Sequence, residues 1–244
     1  MTVKYLDAKR LQGTNAERLG LYADSTGWTL NESGSGQTIS GGYLETTVAS
    51  NGYKSVDFGT PTNFIFDFDW AFTGADPPES PFLILSSTND GYGDVVEGDK
   101  RIFLYSPDSV GFRVTYKGWA TGGSTQEVSD NETWSGTIGT KYYYRCKKVG
   151  TTITFSYWAD SARAGTALQE VEITVDSSFA SGTTDMIYLN VGAYGGGGDN
   201  KLYNYKYYDE QTSPTTVTLS QNFSPNLPNG TIFNETDTYK YFMF

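Results

Sequence analysis

Hydrophobic positions along this chain repeat every second residue, in short runs separated by Gly, Asn, Asp and Ser. Residues 63–72, NFIFDFDWAF, show it best. Phe64, Phe66, Phe68, Trp70 and Phe72 fall on one face; Asn63, Ile65, Asp67, Asp69 and Ala71 fall on the other. A period of two is that of a β-strand, and a run this long predicts a central one. Residues 140–160 predict a hairpin: a strand over Lys141–Lys148, a tight turn at Val149-Gly150, and a strand over Thr151–Trp158. Within the second strand Ile153, Phe155 and Tyr157 face one way, and Thr152, Thr154, Ser156 and Trp158 the other.

Shorter runs predict further strands at 43–48, 82–85, 101–105, 111–116, 171–175, 186–191 and 201–208. ESGSG, GADPPESP, the acidic stretch 87–100, the polar TGGSTQ and GAYGGGGDN read as loops. No 3.6-residue period is sustained. The sum is an all-β, antiparallel two-sheet sandwich.

The two ends differ from this pattern. Residues 1–20 hold Lys4, Lys9, Arg10 and Arg18, with a short helical turn expected from Thr14, and read as an N-terminal arm. Residues 21–210 form the sandwich. Residues 211–244 read as a linker and an extended tail, too apolar at its end for a solvated terminus. Tyr5, Leu6, Phe233, Tyr239, Tyr241, Phe242 and Phe244 are the expected assembly contacts, with a second copy or with other proteins.

Composition removes several chemistries. With no histidine, Ser-His-Asp and Cys-His nucleophilic machinery is absent. Cys146 is the single cysteine, so no intrachain disulfide forms, and its place in a strand predicts a buried thiol. Acidic residues outnumber basic ones 28 to 17, for a net charge of −11, which argues against a nucleic-acid partner. No run of apolar residues is long enough to predict membrane insertion, and MTVKYLDAKR lacks the apolar core of a secretion signal.

The residues offer three kinds of site. Asp67 and Asp69 stand at i and i+2 on one strand face, about 6–7 Å apart by strand rise. They form either a retaining glycosidase carboxylate pair or two solvated or hydrogen-bonded aspartates on an outer face; with no third carboxylate in register, no enzyme is expected. Asn89, Asp90, Asp94, Glu97 and Asp99 in one loop, with Asp199 and Asn200 in another, offer oxygen ligands for Ca2+; the same residues also read as solvated loops. Trp119, Trp134 and Tyr194 adjoin Gly-rich loops and are the candidate sugar-stacking rings, against a packing role for each.

The order of elements adds a resemblance. The FIFDFDW strand, the strand–turn–strand YYYRCKKVGTTITFSYWADSA and the closing LYNYKYYD strand resemble the concanavalin A-like lectin/glucanase superfamily, including laminin-G-like domains. The similar segment covers roughly residues 20–210. Tyr157-Trp158-Ala159-Asp160-Ser161-Ala162-Arg163, and the tail LPNGTIFNETDTYKYFMF, resemble motifs in structural proteins of marine bacteriophages and archaeal viruses. The resemblance implies a jelly roll of two antiparallel sheets, one concave. It implies a virion component, on a capsid or tail, acting in assembly and host attachment; a secreted or surface carbohydrate-binding module is the alternative, and a glycoside hydrolase the third. Fold alone does not choose among them.

Overall fold

The structure is a computed structural model that describes residues 17–21, 28–29, 36–40, 43–47, 51–55, 63–74, 82–87, 99–105, 111–120, 124–176, 188–192, 199–209, 232–235 and 240–243. For 17–21, 28–29, 40, 51–55, 120, 124, 188–192, 206–209, 232–235 and 240–243 the description is of backbone alone.

Among these residues every regular element is a strand. In chain order they are β1 (Glu17–Leu21), β2 (Trp28–Thr29), β3 (Gln37–Ser40), β4 (Tyr43–Thr46), β5 (Asn51–Ser55), β6 (Phe64–Phe72), β7 (Leu83–Ser86), β8 (Lys100–Tyr105) and β9 (Phe112–Ala120). Then follow β10 (Ser124–Glu132), β11 (Lys141–Val149), β12 (Thr152–Trp158), β13 (Gln169–Thr174), β14 (Tyr188–Gly192), β15 (Asn200–Asp209), β16 (Ile232–Glu235) and β17 (Lys240–Met243).

Two sheets form the sandwich. One runs β13-β12-β11-β6-β15-β4-β3, with β1 also on β15; the other runs β10-β9-β8-β7-β14-β5-β2. Every pairing is antiparallel, as the period-two pattern predicts. The fold is therefore an antiparallel two-sheet jelly roll.

The long β6 is central, bonded to β11 on one side and β15 on the other. Its Phe64, Phe66, Phe68 and Trp70 enter the core with Tyr144, Phe155 and Tyr157 from the same sheet and Leu85, Ile102, Leu104, Phe112 and Val114 from the other. Rings stack closely there: Phe68 on Tyr144 at 5.2 Å and Phe112 on Phe155 at 4.4 Å. Two core tyrosines keep their hydroxyls bonded at the rim, Tyr157 donating to Gln169 Oε1 at 2.7 Å and Tyr142 accepting from the Thr137 N–H at 2.9 Å. Cys146 is fully buried, and burial pushes its thiol up to about 12, so it serves packing rather than reaction.

Four expectations need adjustment. The hairpin turn is Gly150-Thr151, one residue later than read, because Val149 pairs with Thr152 and the positive φ of 56° falls on Gly150, where no Cβ opposes it. The polar TGGSTQEVSDNE contains strand β10, which pairs with β9 along its whole length. The expected arm, residues 1–20, includes the start of β1, which pairs in register with Tyr208–Asn204, so Glu17 is in a strand and not in a helical turn. The tail holds a hairpin rather than a single extended segment. Its register sets Ile232 opposite Met243, Phe233 opposite Phe242, and Glu235 opposite Lys240, so each strand pairs one of its two edges with the other. That hairpin belongs to a separate unit, Thr215–Phe244, and the sandwich to Met1–Pro214.

Edge strands β13 and β10 belong to different sheets, yet they are joined. Asp130 Oδ2 accepts from the Glu172 N–H at 3.3 Å, and Gln126 Oε1 from the Asp176 N–H at 3.0 Å. Gln169 Nε2 donates to the Thr133 carbonyl at 2.6 Å. Side chains of one edge thus occupy donors of the other, which blunts both as templates for aggregation.

Gly111 opens β9 with φ of 104°, and a Cβ built there overlaps the Glu132 carbonyl oxygen at the end of β10. Gly111→Ala should therefore cost about 1–3 kcal/mol from backbone conformation, with the clash in addition. In a domain this size each kcal/mol lowers the melting temperature by about 2–4 °C. A thermal melt identical to that of the parent would contradict the prediction.

Candidate functional site

On the face of the eight-stranded sheet away from the core, β6 places Ile65, Asp67 and Ala71, all buried under their neighbours, and Asp69, half-buried. β11 pairs with it so that Arg145 lies opposite Asp67, Tyr143 opposite Asp69, and Lys141 opposite Ala71. The Arg145 fork grips Asp67 with both arms, Nε to Oδ1 at 2.7 Å and Nη2 to Oδ2 at 2.8 Å. Both side chains are largely buried, at 14% and 5% exposure.

A second guanidinium arrives from the turn after β12. Asp160 shapes that turn: its carbonyl accepts from the Arg163 N–H, and its Oδ1 from the Ala162 N–H. Trp158 ties the far side, its indole N–H donating to the Gly165 carbonyl at 3.2 Å. Arg163 takes a positive φ of 48°, uncommon for a residue with a Cβ. From there Nη2 donates to Asp69 Oδ1 at 2.6 Å and to the Phe68 carbonyl at 3.0 Å, while Nε donates to the Tyr144 carbonyl at 3.0 Å. Backbone strain of about 1–3 kcal/mol is offset by these charge-assisted bonds.

The adjoining strand β15 carries a bulge. Leu202 pairs with Trp70 and Tyr205 with Phe68, both on the core side, so two residues, Tyr203 and Asn204, stand opposite the single Asp69. The extra residue concentrates side chains on the solvent face. Asn204 Nδ2 donates to Asp69 Oδ2 at 3.3 Å. The Tyr203 ring lies 5.5 Å from the Tyr43 ring of β4, tilted by 58°. The Lys141 ammonium is 5.0 Å from the Tyr203 ring centre and 5.2 Å from that of Tyr143. Lys201 lies 4.5 Å over Tyr43 and pairs with Glu45 at 3.2 Å, and the bond to that carboxylate is the main influence raising its pKa.

The result is a polar, aromatic platform on a rigid ionic floor. Tyr43, Tyr203, Lys141 and Lys201 are half-buried and Asn204 is exposed. Ring faces with nearby amides and charged groups suit the apolar faces and hydroxyls of a sugar. The floor does not suit acid–base chemistry: both Asp67 oxygens are held by Arg145, and Asp69 is held by Arg163 and Asn204. Asp67 and Asp69 do share the outer face, as a hydrogen-bonded pair and not as two free carboxylates.

The candidates from sequence do not gather into one site. Trp119 is half-buried on β9 of the other sheet, and its indole nitrogen has no partner among the described residues. Trp134 packs on the core, edge-on to Tyr142 at 6.4 Å, with Gly136 so close that a Cβ there would overlap the indole. Asp99 is buried with its Oδ2 accepting from Arg101 at 2.8 Å. Asp199 is exposed, and its carbonyl accepts from the Thr73 and Gly74 N–H groups. Among the described residues no three His, Cys, Asp or Glu side chains form a metal-binding group. Tyr194, Asp90, Asp94, Tyr5, Leu6, Tyr239 and Phe244 lie outside the described residues. Phe233, Tyr241 and Phe242 are positions of the β16–β17 hairpin. Sequence reasoning did not single out Tyr43, Lys141, Arg145, Arg163, Tyr203 or Asn204. Of these, Arg145, Arg163, Tyr203 and Asn204 stand inside the strand motifs quoted above, which gave them no role.

No protein-family model matches the chain, and no curated protein is significantly similar to it in sequence. Solved structures do share its shape. The exoplasmic/lumenal domain of VIP36, in a Ca2+/Man3GlcNAc-bound form, is 9% identical with a TM-score of 0.52, over 81% of this chain and 92% of that one. Arcelin-5, a lectin-like defense protein from Phaseolus vulgaris, is 10% identical with a TM-score of 0.52, over 80% of this chain and 98% of that one. At this identity the common property is the two-sheet jelly-roll fold.

Proposed function

We propose that this chain is a non-enzymatic, lectin-like module that binds glycans through the outer face of its eight-stranded sheet and is carried on a virion as a structural component. The observation that carries the binding role is the Tyr43–Tyr203 pair, raised on the β15 bulge beside Asn204, Lys141 and Lys201. Engagement of both floor carboxylates by arginines supports binding over hydrolysis, because a glycosidase needs one carboxyl free to give a proton and one free to attack. The virion placement draws on the YWADSAR and tail resemblances, together with the separate C-terminal unit available for assembly.

Two measurements test the two halves. The full chain on a glycan array should give a saturable signal that Tyr203→Ala weakens by about two- to tenfold, the scale of losing an aromatic stacking partner. Removal of residues 215–244 should leave that signal intact while abolishing co-purification with particles. A chain that binds glycans but never associates with a particle would favour the free carbohydrate-binding module. Particle association with no glycan signal would sink the binding role.

A further inference from the structure

We infer that the platform selects acidic saccharides, and that Lys141 is the residue that reads the acid. This rests on the reading of the outer sheet face as the glycan surface and names the class of sugar it takes.

The inference starts from how charge is distributed on that face. One row across the sheet reads Lys141, Ala71, Lys201, Glu45 and Thr38, set by strand register. Lys201 and Glu45 neutralise each other at 3.2 Å. In the adjacent row Asp69 is taken by Arg163 and Asn204. Lys141 has no carboxylate partner among the described residues, in a chain whose acids outnumber its bases 28 to 17. Carboxylates are in excess, yet this ammonium is held by two ring faces, Tyr143 and Tyr203.

Ring faces fix a cation in place without neutralising it. Lys141 as a residue is half-buried, and its ammonium keeps its donors for an incoming anion. Partial exclusion of water strengthens the bond it then makes. Tyr203 also pairs with Tyr43, so a pyranose over this pair brings its substituents toward Lys141. A uronate or sialate carboxylate or a sulfate ester supplies the same chemistry: an oxyanion that accepts from N–H. Ala71, small and directly between the two lysines, projects no long side chain across the row.

Calorimetric titration of the full chain tests this with three probes: an oligogalacturonate, its methyl ester and a sulfated galactan oligosaccharide. The ester removes the charge and keeps the rings. The acid should bind about tenfold or more tightly than the ester, the scale of one charge-assisted hydrogen bond. Lys141→Gln should erase that difference, and Lys141→Arg should retain it. Lys141-dependent binding of the sulfated probe alone would assign the anion as a sulfate ester; binding of the galacturonate alone would assign a carboxylate. Equal affinity for acid and ester, or array signals confined to neutral glycans, would overturn the inference while leaving the glycan reading intact. Absence of binding to all three probes and to the array would overturn both.

Discussion

Arg145→Met should lower the unfolding free energy by about 3–5 kcal/mol, the cost of stranding one member of a buried pair. Asp67 is 4% exposed and receives both of its short bonds from Arg145. Among the described side chains a second cation near it is Arg163, whose Nε is 3.9 Å from Asp67 Oδ2 and already donates to the Tyr144 carbonyl. That partial compensation places the expected loss toward the lower end, about 3 kcal/mol. The double substitution Asp67→Leu with Arg145→Met removes both charges and should recover most of the loss. Urea titration of the two variants gives the comparison. A single variant within about 1 kcal/mol of the parent would show that Arg145 is not what compensates Asp67.

The double variant also separates stability from function. Arg163 and Asn204 hold Asp69 by hydrogen bonds of their own, which the double substitution leaves in place, so the platform above them keeps its support. Ionic pairs of this kind add little net stability over a well-packed apolar pair. Their value here is positional, since they fix in one register a face that would otherwise carry long, mobile side chains.

How far the chain could be read follows from where each residue's partners lie. β6 was legible because five aromatic residues alternate without a break and the pattern needs no partner to be seen. The β11–β12 hairpin was legible for the same reason, and its turn slipped by one because φ at Gly150, not its position, decides the turn. β10 was not legible. It is an edge strand with polar residues on both faces, and only Val128 packs on the core. The two aspartates were placed on the correct face, but their state depends on Arg145 and Arg163, which are 78 and 94 residues away. Spacing within one strand carries no information about such partners. The tyrosines of LYNYKYY were harder still. Plain alternation sends Tyr203 and Tyr205 the same way, whereas the bulge sends Tyr205 into the core and leaves Tyr203 outside.

That bulge provides the sharpest functional test. Deleting Asn204 should leave the sandwich folded and abolish glycan binding. Without the extra residue, β15 regains regular alternation: Leu202 faces the core, Tyr203 faces out, and Tyr205 faces the core again opposite Phe68. Core residues on both sides of the deletion therefore keep their places, and the strand needs no slip. What changes is the outer face. The Asn204 amide is lost from Asp69, and Tyr203 is drawn into the regular pleat, away from the bulged geometry that sets it 5.5 Å from Tyr43 and 5.0 Å from Lys141. Bulges locally increase twist and re-aim side chains, so the platform geometry depends on this one. Deletion of Leu202 is the control. It removes a fully buried residue and offers Tyr203 to the core slot, so it should destabilise the fold by about 2–5 kcal/mol. Strand deletions usually flip every following side chain, and a stable Asn204 deletion would be the signature of a true bulge. A variant that melts like the parent yet binds glycans like the parent would show that the bulge does not build the site. Unfolding as severe as that of the Leu202 deletion would show that β15 depends on the bulge for its register.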